Sequence, residues 1–439
     1  MTERKDSHSP KIQLGNQEES LVSAAFLVGI QTDECGQEEC AELLNELKAL
    51  VDTLGIATVG QTIAKQREPN PRFLIGEGKT REICAQAERA GADVIVFDDI
   101  LSPSQQRNWE SVSSLPVIDR QQVILDIFAA HAHTSEAVLQ IELARASYSL
   151  PRLKRRWTHL NRERGRAGGM GLRGGGEQQL ELDSRLVRMR IARLRTQLAD
   201  VQRHRQTQRS ARITKPVPVA AIVGYTNAGK SSLLNAMTKA EVLVADKLFA
   251  TLDPTVRRFQ LPGGLPILLA DTVGFVRKLP TLLVEAFHST LEETVLADFI
   301  LEVVDASSAS LEEYHRTTLE ILDQIGARSK DAILVFNKID LLDELSRRRL
   351  RNRYPEAIFC SARTGEGLSD IAEVLERAVD CSSREATLLI PHARLEALAR
   401  LRESSSILAE TYAEDGAHIR ARIPRSAWKI AEPYLTGEE

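Results

Sequence analysis

The chain has 439 residues, a length that predicts about three domains. Hydrophobic residues make up 43% and charged residues 27%, proportions that exclude a disordered or collagen-like chain. The net charge of −4 comes from 57 basic and 61 acidic residues, so a strongly basic character can belong only to a segment.

Signals for export or membrane insertion are missing from the sequence. The longest apolar stretch, LVSAAFLVGI at 21–30, has about half the length of a bilayer-spanning helix. The first twenty residues carry neither an apolar signal core nor an arginine-rich transit pattern. The five cysteines are too few and too scattered for a disulfide framework. We therefore expect a cytoplasmic protein with reduced thiols, no membrane span and a disordered tail at 1–20. As a separate expectation, the protein is monomeric.

Residues 21–133 alternate apolar, strand-like runs with amphipathic stretches. Helices are predicted near 38–52 and 79–90, and the apolar runs are AAFLVGI, IATVGQTI, DVIVFDD, PVIDR and QQVILDIFAA. This alternation predicts an N-terminal α/β domain with a mostly parallel sheet. The segment LIGEGKTREI at 74–83 resembles a phosphate loop only superficially, because its lysine follows the glycines without the four-residue spacer.

Residues 134–214 predict a long α-helical hairpin. In the first helix, at 134–163, apolar residues recur every three or four positions, and Pro151 is a candidate kink. The second helix, at 177–209, carries a seven-residue repeat with two further apolar residues beside it: Leu180, Val187, Leu194, Val201, Ile191 and Leu198. Between the helices lies GRAGGMGLRGGG at 165–176, the predicted tip of the hairpin.

This hairpin is also the basic segment of the chain. Residues 151–215 hold 18 Lys and Arg against 5 Asp and Glu. Arginines beside glycines can follow a nucleic-acid backbone closely, and neutralising phosphates releases counterions. The segment therefore favours a nucleic-acid partner over the alternative, a solvated charged helix.

The segment KPVPV at 215–219 predicts a linker into a second α/β domain at 217–386. The candidate strands of that domain are VAAIV, VRRFQL, LPILLAD, FILEVVDA, AILVFNK and AIFCSA. Residues 387–439 mix one helix with short strand-like pieces, which predicts a small C-terminal α+β domain.

The stretch GYTNAGKS at 224–231 fits the phosphate-loop pattern G-x-x-x-x-G-K-[ST] between a strand and a helix. Its N–H groups would surround phosphates, Lys230 would reach the β and γ oxygens, and the Ser231 hydroxyl would bind Mg²⁺. The alternative, a glycine turn without a ligand, is disfavoured by the flanking strand and helix. The predicted phosphate-binding residues are Gly224, Tyr225, Thr226, Asn227, Ala228, Gly229, Lys230 and Ser231.

Three further motifs follow in the order expected of a guanine-nucleotide site. DTVG at 271–274 places a carboxylate at a strand end for a metal-bound water, with an N–H group for the γ-phosphate. NKID at 337–340 supplies a carboxylate for the N1–H and N2–H₂ donors of guanine, which adenine lacks. SAR at 361–363 is the loop expected to read the guanine O6. The residues concerned are Asp271, Thr272, Val273, Gly274, Asn337, Lys338, Ile339, Asp340, Ser361, Ala362 and Arg363.

The stretch FATLDPT at 249–255 is predicted to be the switch loop that senses the γ-phosphate. One of its threonines would complete the Mg²⁺ shell; we favour Thr251, and spacing alone leaves Thr255 open. Lys230 and Thr251 are the predicted catalytic residues, and Ser231 and Thr251 the predicted metal ligands. The switch residues assigned to the nucleotide are Phe249, Ala250, Thr251, Leu252 and Asp253.

Phe275 follows the DTVG motif, where many small signalling GTPases carry a glutamine that orients the attacking water. A phenyl ring cannot do this chemistry. We therefore expect slow intrinsic hydrolysis, with the water positioned by another group or a partner and the Phe275 side chain turned away from the phosphate.

With these motifs, the chain resembles the HflX family of ribosome-associated GTPases. The resemblance extends from residue 20 to 386 and includes QIELARASYSLPRL at 140–153, GGMGLRGGGEQQLELD at 168–183 and LFATLDPTVRRFQLP at 248–262. Phosphate loops occur in many proteins, whereas RGGGEQQLELD upstream of one points to this family.

The resemblance implies a GTPase that binds the large (50S) ribosomal subunit, splits stalled or idle 70S ribosomes, often under heat stress, and leaves after hydrolysis. It implies GTP and Mg²⁺ as ligands, 23S rRNA as a partner, and a hairpin tip directed at the peptidyl-transferase region through Arg164, Arg166 and Arg173. Family members usually carry Gly-Pro-Gly-Glu where this chain has Gly-Gly-Gly-Glu at 174–177, so a more flexible tip is expected.

The predicted fold class is therefore α/β. It combines an N-terminal α/β domain bearing a long helical hairpin, a P-loop GTPase domain with a mostly parallel sheet and helices on both faces, and a small C-terminal α+β domain. The alternative function is a non-ribosomal GTP switch whose basic arm binds free RNA or a protein.

Overall fold

The computed structural model describes residues 22–33, 35–66, 70–165, 175–212, 217–239, 248–249, 255–278, 293–328 and 330–436. The expected tail at 1–20 lies outside these residues. The strands are β1 (Ala24–Gln31), β2 (Ala57–Lys65), β3 (Val94–Phe97), β4 (Val117–Asp119), β5 (Val219–Gly224), β6 (Thr255–Gln260), β7 (Pro266–Asp271), β8 (Phe299–Asp305), β9 (Asp331–Asn337), β10 (Ile358–Phe359), β11 (Arg384–Ile390), β12 (Ser406–Ala413) and β13 (Gly416–Ile423).

The helices follow the same chain order. They are α1 (Gln37–Thr53), α2 (Glu77–Arg89), α3 (Pro103–Ser113), α4 (Arg120–His131), α5 (Ser135–Gly165), α6 (Gly175–Arg212), α7 (Lys230–Thr238), α8 (Leu311–Gln324), α9 (Glu344–Arg353), α10 (Leu368–Ser382), α11 (Leu395–Ser404) and α12 (Trp428–Ala431). The chain divides into two compact units, and the division falls within α6 between Ala199 and Asp200.

The first sheet has the strand order β2-β1-β3-β4, and all of its pairs are parallel. Strand β1 is buried continuously over residues 25–30, as is typical of a parallel strand covered on both faces. The run QQVILDIFAA lies in helix α4, because the Asp119 carboxylate accepts the Gln122 N–H and so caps the helix start. The predicted α/β domain with a parallel sheet is confirmed.

The two long helices predicted for the hairpin are present as α5 and α6. Pro151 lies inside α5, which continues through it as one helix. The seven-residue repeat of α6 marks its packed side, where Leu194 is buried and Val187 and Ile191 are half-buried. The predicted tip at 165–176 lies largely outside the described residues, and so do Arg166 and Arg173.

The second sheet has the order β10-β9-β8-β5-β7-β6. Its strands are parallel except β6, which runs antiparallel to β7. All six strands expected from the apolar runs are present. Because parallel strands end at the same edge of a sheet, the loops that follow β5, β7, β8, β9 and β10 meet there.

A third sheet, β11-β13-β12, is antiparallel. It packs on α11 through a small core that includes Leu388, Leu401 and Ile419. This is the expected α+β arrangement of the C-terminal region. Among the residues in the ranges given above, none of the helices combines the length and apolar character needed to cross a membrane.

Candidate functional site

The phosphate-loop motif joins the end of β5 to the start of α7. Gly224 has a φ of +144°, and a Cβ atom there would lie 2.1 Å from the carbonyl oxygen of Val303 on β8. Gly229 has a φ of +89°, and a Cβ atom there would lie 2.3 Å from Nδ2 of Asn337. Only glycine tolerates both the backbone angles and the close approach, which explains why the turn has glycine at each end.

The turn directs the N-terminus of α7 toward the edge of the sheet. Gly229 is the N-cap residue, and no side chain in the described part of the chain caps the helix. The first N–H groups of a helix have no acceptor within the helix, and their aligned dipoles favour an anion. Asn227, in the middle of the turn, has a left-handed φ of +61°. The geometry therefore suits a phosphate group.

Lys230 is the first residue of α7, and its side chain is only 7% exposed. Its Nζ donates hydrogen bonds to the carbonyl oxygens of Gly224 (3.2 Å) and Tyr225 (2.9 Å). Burial lowers the pKa of Lys230 to about 8, and the nearby Asp271 carboxylate opposes this shift. A buried ammonium at the start of a helix is suited to holding an anion and costly to leave without one.

Ser231 and Asp271 meet beside this lysine. The Ser231 hydroxyl donates to Oδ2 of Asp271 at 2.6 Å, and Asp271 ends strand β7 fully buried. The next residue, Thr272, is anchored by a 2.7 Å hydrogen bond from its hydroxyl to the Ile222 carbonyl on β5. A hydroxyl and a carboxylate are hard oxygen donors of the kind Mg²⁺ takes, so this pair fits such an ion.

Asn337 connects three of the predicted motifs. Its Nδ2 donates to the carbonyl oxygen of Ala228 in the phosphate loop at 2.9 Å. Its Oδ1 accepts the backbone N–H of Ala362 at 3.0 Å. The next residue, Lys338, has a left-handed φ of +64°, and its Nζ lies 2.8 Å from Oδ2 of Asp305. The buried amide therefore holds the loops after β5, β9 and β10 in one arrangement.

The carboxylate of Asp340 is 10% exposed and faces the SAR loop. Its Oδ1 accepts the Ser361 hydroxyl at 2.6 Å, and its Oδ2 lies 2.7 Å from Nη2 of Arg363. The hydrogen bond from Ser361 and then the charge of Arg363 lower the pKa of Asp340, so it is ionised at neutral pH. Ile339, beside it, is buried.

The structure describes only part of the predicted switch loop. Phe249 is buried and has a left-handed φ of +58°. Ala250, Thr251, Leu252 and Asp253 lie outside the described residues, so Thr251 stays a prediction as a metal ligand. Thr255 begins β6 opposite Asp271 in the antiparallel register.

The DTVG segment lies against the phosphate loop. Val273 is 7% exposed, and Gly274 is so close to the loop that a Cβ atom there would lie 2.9 Å from Nζ of Lys230. The side chain of Phe275 is 2% exposed, which agrees with an apolar packing residue in place of a water-orienting glutamine.

Four polar or aromatic residues around this site were not singled out from the sequence: Asp305, Arg277, Glu313 and Tyr314. Asp305 ends β8 and holds Lys338, as described above. The sequence could have indicated Asp305 as a site residue, because it ends an apolar strand just as Asp271 does. Arg277 pairs with Glu313, and both Arg277 and Tyr314 contact Tyr225 of the phosphate loop; no local pattern points to these residues.

Three family profiles match consecutive parts of the chain. The profile described as GTP-binding GTPase N-terminal matches residues 41–129, and the profile described as GTP-binding GTPase middle region matches 131–212. The profile described as 50S ribosome-binding GTPase matches residues 219–338. The last of these contains the phosphate loop, the DTVG motif and the start of the NKID motif.

Relatives described as GTPase HflX match nearly the whole chain. The GTPase HflX of Akkermansia muciniphila is 44% identical over 435 residues, which are 94% of this chain and 97% of that protein. The GTPase HflX of Escherichia coli is 40% identical over 396 residues, 90% of this chain and 92% of that protein. Among solved structures, a GTP-binding protein from Sulfolobus solfataricus in complex with GDP is 25% identical, covers 81% of this chain and 98% of its own, and has a TM-score of 0.41. Because the two HflX relatives are 44% and 40% identical over at least 90% of this chain, the chain belongs to the HflX family and is a GTPase.

Proposed function

We propose that this GTPase is a translation factor that binds the 50S subunit and splits stalled or idle 70S ribosomes, with its basic hairpin contacting 23S rRNA. The observation that carries the proposal is that one chain combines a GTPase sheet with two long helices, α5 and α6, in its basic segment. The match of residues 219–338 to a profile described as 50S ribosome-binding GTPase supports the choice of partner.

The charge on α6 supports contact with a polyanion. Arginines within its described part present exposed side chains: Arg185, Arg188, Arg190, Arg193, Arg195 and Arg203. The whole helix carries nine basic residues against four acidic ones. Exposed arginines bind phosphate oxygens without reading sequence, which suits a long arm lying along folded RNA. The alternative, a non-ribosomal switch with an RNA- or protein-binding arm, uses the same surface and differs in its response to ribosomal subunits.

We assign roles at the nucleotide from the geometry of the loops. Lys230 holds the β and γ oxygens, the N–H of Gly274 holds the γ-phosphate, and the Asp340 carboxylate accepts the guanine N1–H and N2–H₂. Ser231 is a proposed ligand of Mg²⁺, with Asp271 holding a water in the same shell. Thr251 lies outside the described residues and is proposed as a second ligand from the sequence alone. The ion would offset the negative charge of the phosphates.

Nucleotide affinity is expected to fall by about tenfold between pH 7 and pH 9. Burial lowers the pKa of Lys230 to about 8, so the empty site loses its ammonium charge over this interval, whereas phosphates require the charged form. The measurement is a GDP titration at constant ionic strength across that pH interval. Lys230→Arg is the control, because its guanidinium stays charged and its weaker binding should not vary with pH. A pH-independent affinity of the unmodified protein would contradict this role.

The ribosome proposal predicts that purified 50S subunits raise the rate of GTP hydrolysis at least about tenfold, since partners of GTPases supply missing catalytic groups. Hydrolysis is measured with and without subunits across a salt titration. Stimulation that falls steeply with salt is expected, because phosphate contacts release counterions. Turnover unaffected by 50S subunits would favour the non-ribosomal switch.

Deletion of residues 165–176 provides a matched test of the arm. The deletion removes Arg166 and Arg173. The plot of the logarithm of 50S affinity against the logarithm of salt concentration should therefore become less steep by about two. Splitting of 70S particles, followed by light scattering, should be lost while GDP affinity stays unchanged. Splitting that survives the deletion would contradict an active role for the tip.

A further inference from the structure

The segment after the DTVG motif is paired with the phosphate loop through its backbone. The N–H of Phe275 donates to the carbonyl oxygen of Gly224 at 3.0 Å, and the N–H of Thr226 donates to the carbonyl oxygen of Phe275 at 2.8 Å. Tyr225 and Phe275 thereby form a parallel β-bridge. The two segments that must both contact a γ-phosphate are thus held against each other.

This pairing fills the space that the γ-phosphate needs. A Cβ atom on Gly274 would lie 2.8 Å from Cγ2 of Thr226 and 2.9 Å from Nζ of Lys230. A single added atom on Gly274 would thus already be closer to Thr226 and Lys230 than non-bonded contacts allow, and a γ-phosphate held between Gly274 and Lys230 brings a phosphorus and three oxygens. The Gly274 segment must therefore move away from the loop when GTP binds.

Arg277 connects this segment to the phosphate loop through its backbone N–H and to α8 through its side chain. Its N–H donates to the phenolic oxygen of Tyr225 at 2.7 Å. Its guanidinium Nη1 lies 2.8 Å from Oε2 of Glu313 on α8. The side chain of Arg277 is 6% exposed and that of Glu313 is 22% exposed, so the ion pair is partly buried and screened by salt less than a surface pair.

Tyr314 completes the arrangement from α8. Its ring stacks on that of Tyr225 with the centroids 3.9 Å apart and the planes at 9°. The guanidinium of Arg277 lies 5.7 Å from the centre of the Tyr314 ring. The stack holds the phenolic oxygen of Tyr225 where the Arg277 N–H can reach it. Tyr225 of the phosphate loop and Glu313 of α8 therefore both bind the segment at 274–277, the switch segment.

We propose that Tyr225, Arg277 and Glu313 form a latch that sets the preference between GDP and GTP. The latch closes only when the switch segment lies on the phosphate loop, an arrangement that excludes the γ-phosphate. Contacts made in one state alone weaken the binding of any ligand that requires the other state. GDP, which lacks the γ-phosphate, binds with the latch closed. This inference rests on the nucleotide site proposed above.

The test is the ratio of GDP and GTP affinities in variants that open the latch without changing its shape. Tyr225→Phe removes the hydroxyl acceptor and keeps the ring stack, and Glu313→Gln removes the charge and keeps the side-chain length. Glu313→Gln is expected to tighten a non-hydrolysable GTP analogue by about threefold to tenfold and to change GDP affinity by less than about twofold. Because Tyr225 belongs to the phosphate loop, Tyr225→Phe is judged by the ratio of the two affinities, which should shift toward the analogue by the same factor. Glu320→Gln, an exposed position on the same helix, should change neither.

Affinities are measured by fluorescence titration of labelled GDP and labelled analogue, after circular dichroism has shown that each variant is folded. Equal shifts for both nucleotides, or an analogue affinity that is unchanged or weaker in both latch variants, would overturn the latch. Glu313→Gln decides the question alone if Tyr225→Phe does not fold. Unaltered binding of both nucleotides by Lys230→Ala would instead contradict the nucleotide site itself, and the latch with it.

Discussion

Replacing Asp340 with asparagine is expected to weaken GTP binding by at least about 100-fold and to confer binding of xanthosine triphosphate. Guanine presents two N–H donors to the Asp340 carboxylate in the proposed site. The side chain of asparagine presents one oxygen, which accepts a hydrogen bond, and one NH₂ group, which only donates. One of the two guanine N–H donors would therefore face the NH₂ group and lack an acceptor. Xanthine carries a carbonyl oxygen in place of the 2-amino group, and that oxygen accepts a hydrogen bond from the new amide.

The surroundings of Asp340 make this substitution a clean probe. The Ser361 hydroxyl and the Arg363 guanidinium hold the carboxylate at 2.6 Å and 2.7 Å and lower its pKa, so the wild-type group is charged wherever binding is measured. An asparagine keeps an oxygen for the Ser361 hydroxyl. Arg363 is 73% exposed and loses little when its partner becomes neutral. Loss of GTP affinity would therefore report on the base rather than on the fold.

The measurement is a parallel titration with GTP, xanthosine triphosphate and ATP. Asp343→Asn is the matched control, because it makes the same chemical change three residues later. Asp343 is exposed and caps α9 by accepting the Ser346 N–H at 3.1 Å, a role that asparagine fills equally well. If Asp340→Asn binds GTP as the unmodified protein does, the carboxylate is not the group that reads guanine.

Much of this site could be predicted from the sequence because its parts are local. A buried strand followed by a short motif places each motif at the carboxyl edge of a parallel sheet, so the order of the motifs implies that they meet. The contact of Asp340 with Ser361, 21 positions apart, follows from that rule. Five of the six strands of the second sheet were predictable for a similar reason, since each is a short apolar run between turns; β6 (TVRRFQ) is the exception.

The parts that sequence reasoning missed depend on contacts between distant elements. Tyr225 and Tyr314 are 89 positions apart, and nothing in the amphipathic pattern of α8 shows which side chain will face the phosphate loop. Arg277 lies three residues after the DTVG motif, but an arginine in a loop is ordinarily solvent-exposed, and its burial goes with the ion pair to Glu313. Periodicity predicts which face of a helix is buried and gives no information on which polar residue pairs across that face.

The same reasoning applies to the N-terminal unit, where Arg120 is almost fully buried at 1% exposure. Its Nη1 lies 2.6 Å from Oδ1 of Asp98, and its Nη2 lies 2.5 Å from Oε1 of Glu46. One cation thus joins the start of α4, the end of β3 and the face of α1. In the sequence it is only the arginine before an apolar run, with no sign that two carboxylates would surround it.

Arg120→Ala is expected to destabilise this unit by about 3–5 kcal/mol. The substitution leaves the Asp98 and Glu46 carboxylates, 3% and 7% exposed, without the cation that neutralises them. Removing one member of a buried charge cluster costs more than removing the whole cluster, because the remaining charges have no access to water. The triple variant with Asp98→Asn and Glu46→Gln is therefore expected to recover part of the loss.

Denaturant unfolding monitored by Trp109 measures this effect. Trp109 is fully buried in the N-terminal core, so a background in which Trp157 and Trp428 are replaced by phenylalanine makes its fluorescence specific to that unit. Arg72→Ala is the control, because Arg72 belongs to the same unit. Its side chain is 64% exposed and pairs with Glu77 at the surface, so its loss should cost less than about 1 kcal/mol. Equal unfolding midpoints for Arg120→Ala and Arg72→Ala would mean that the buried cluster contributes no more than a surface ion pair. A triple variant less stable than Arg120→Ala would show that the carboxylates stabilise the fold without their cation.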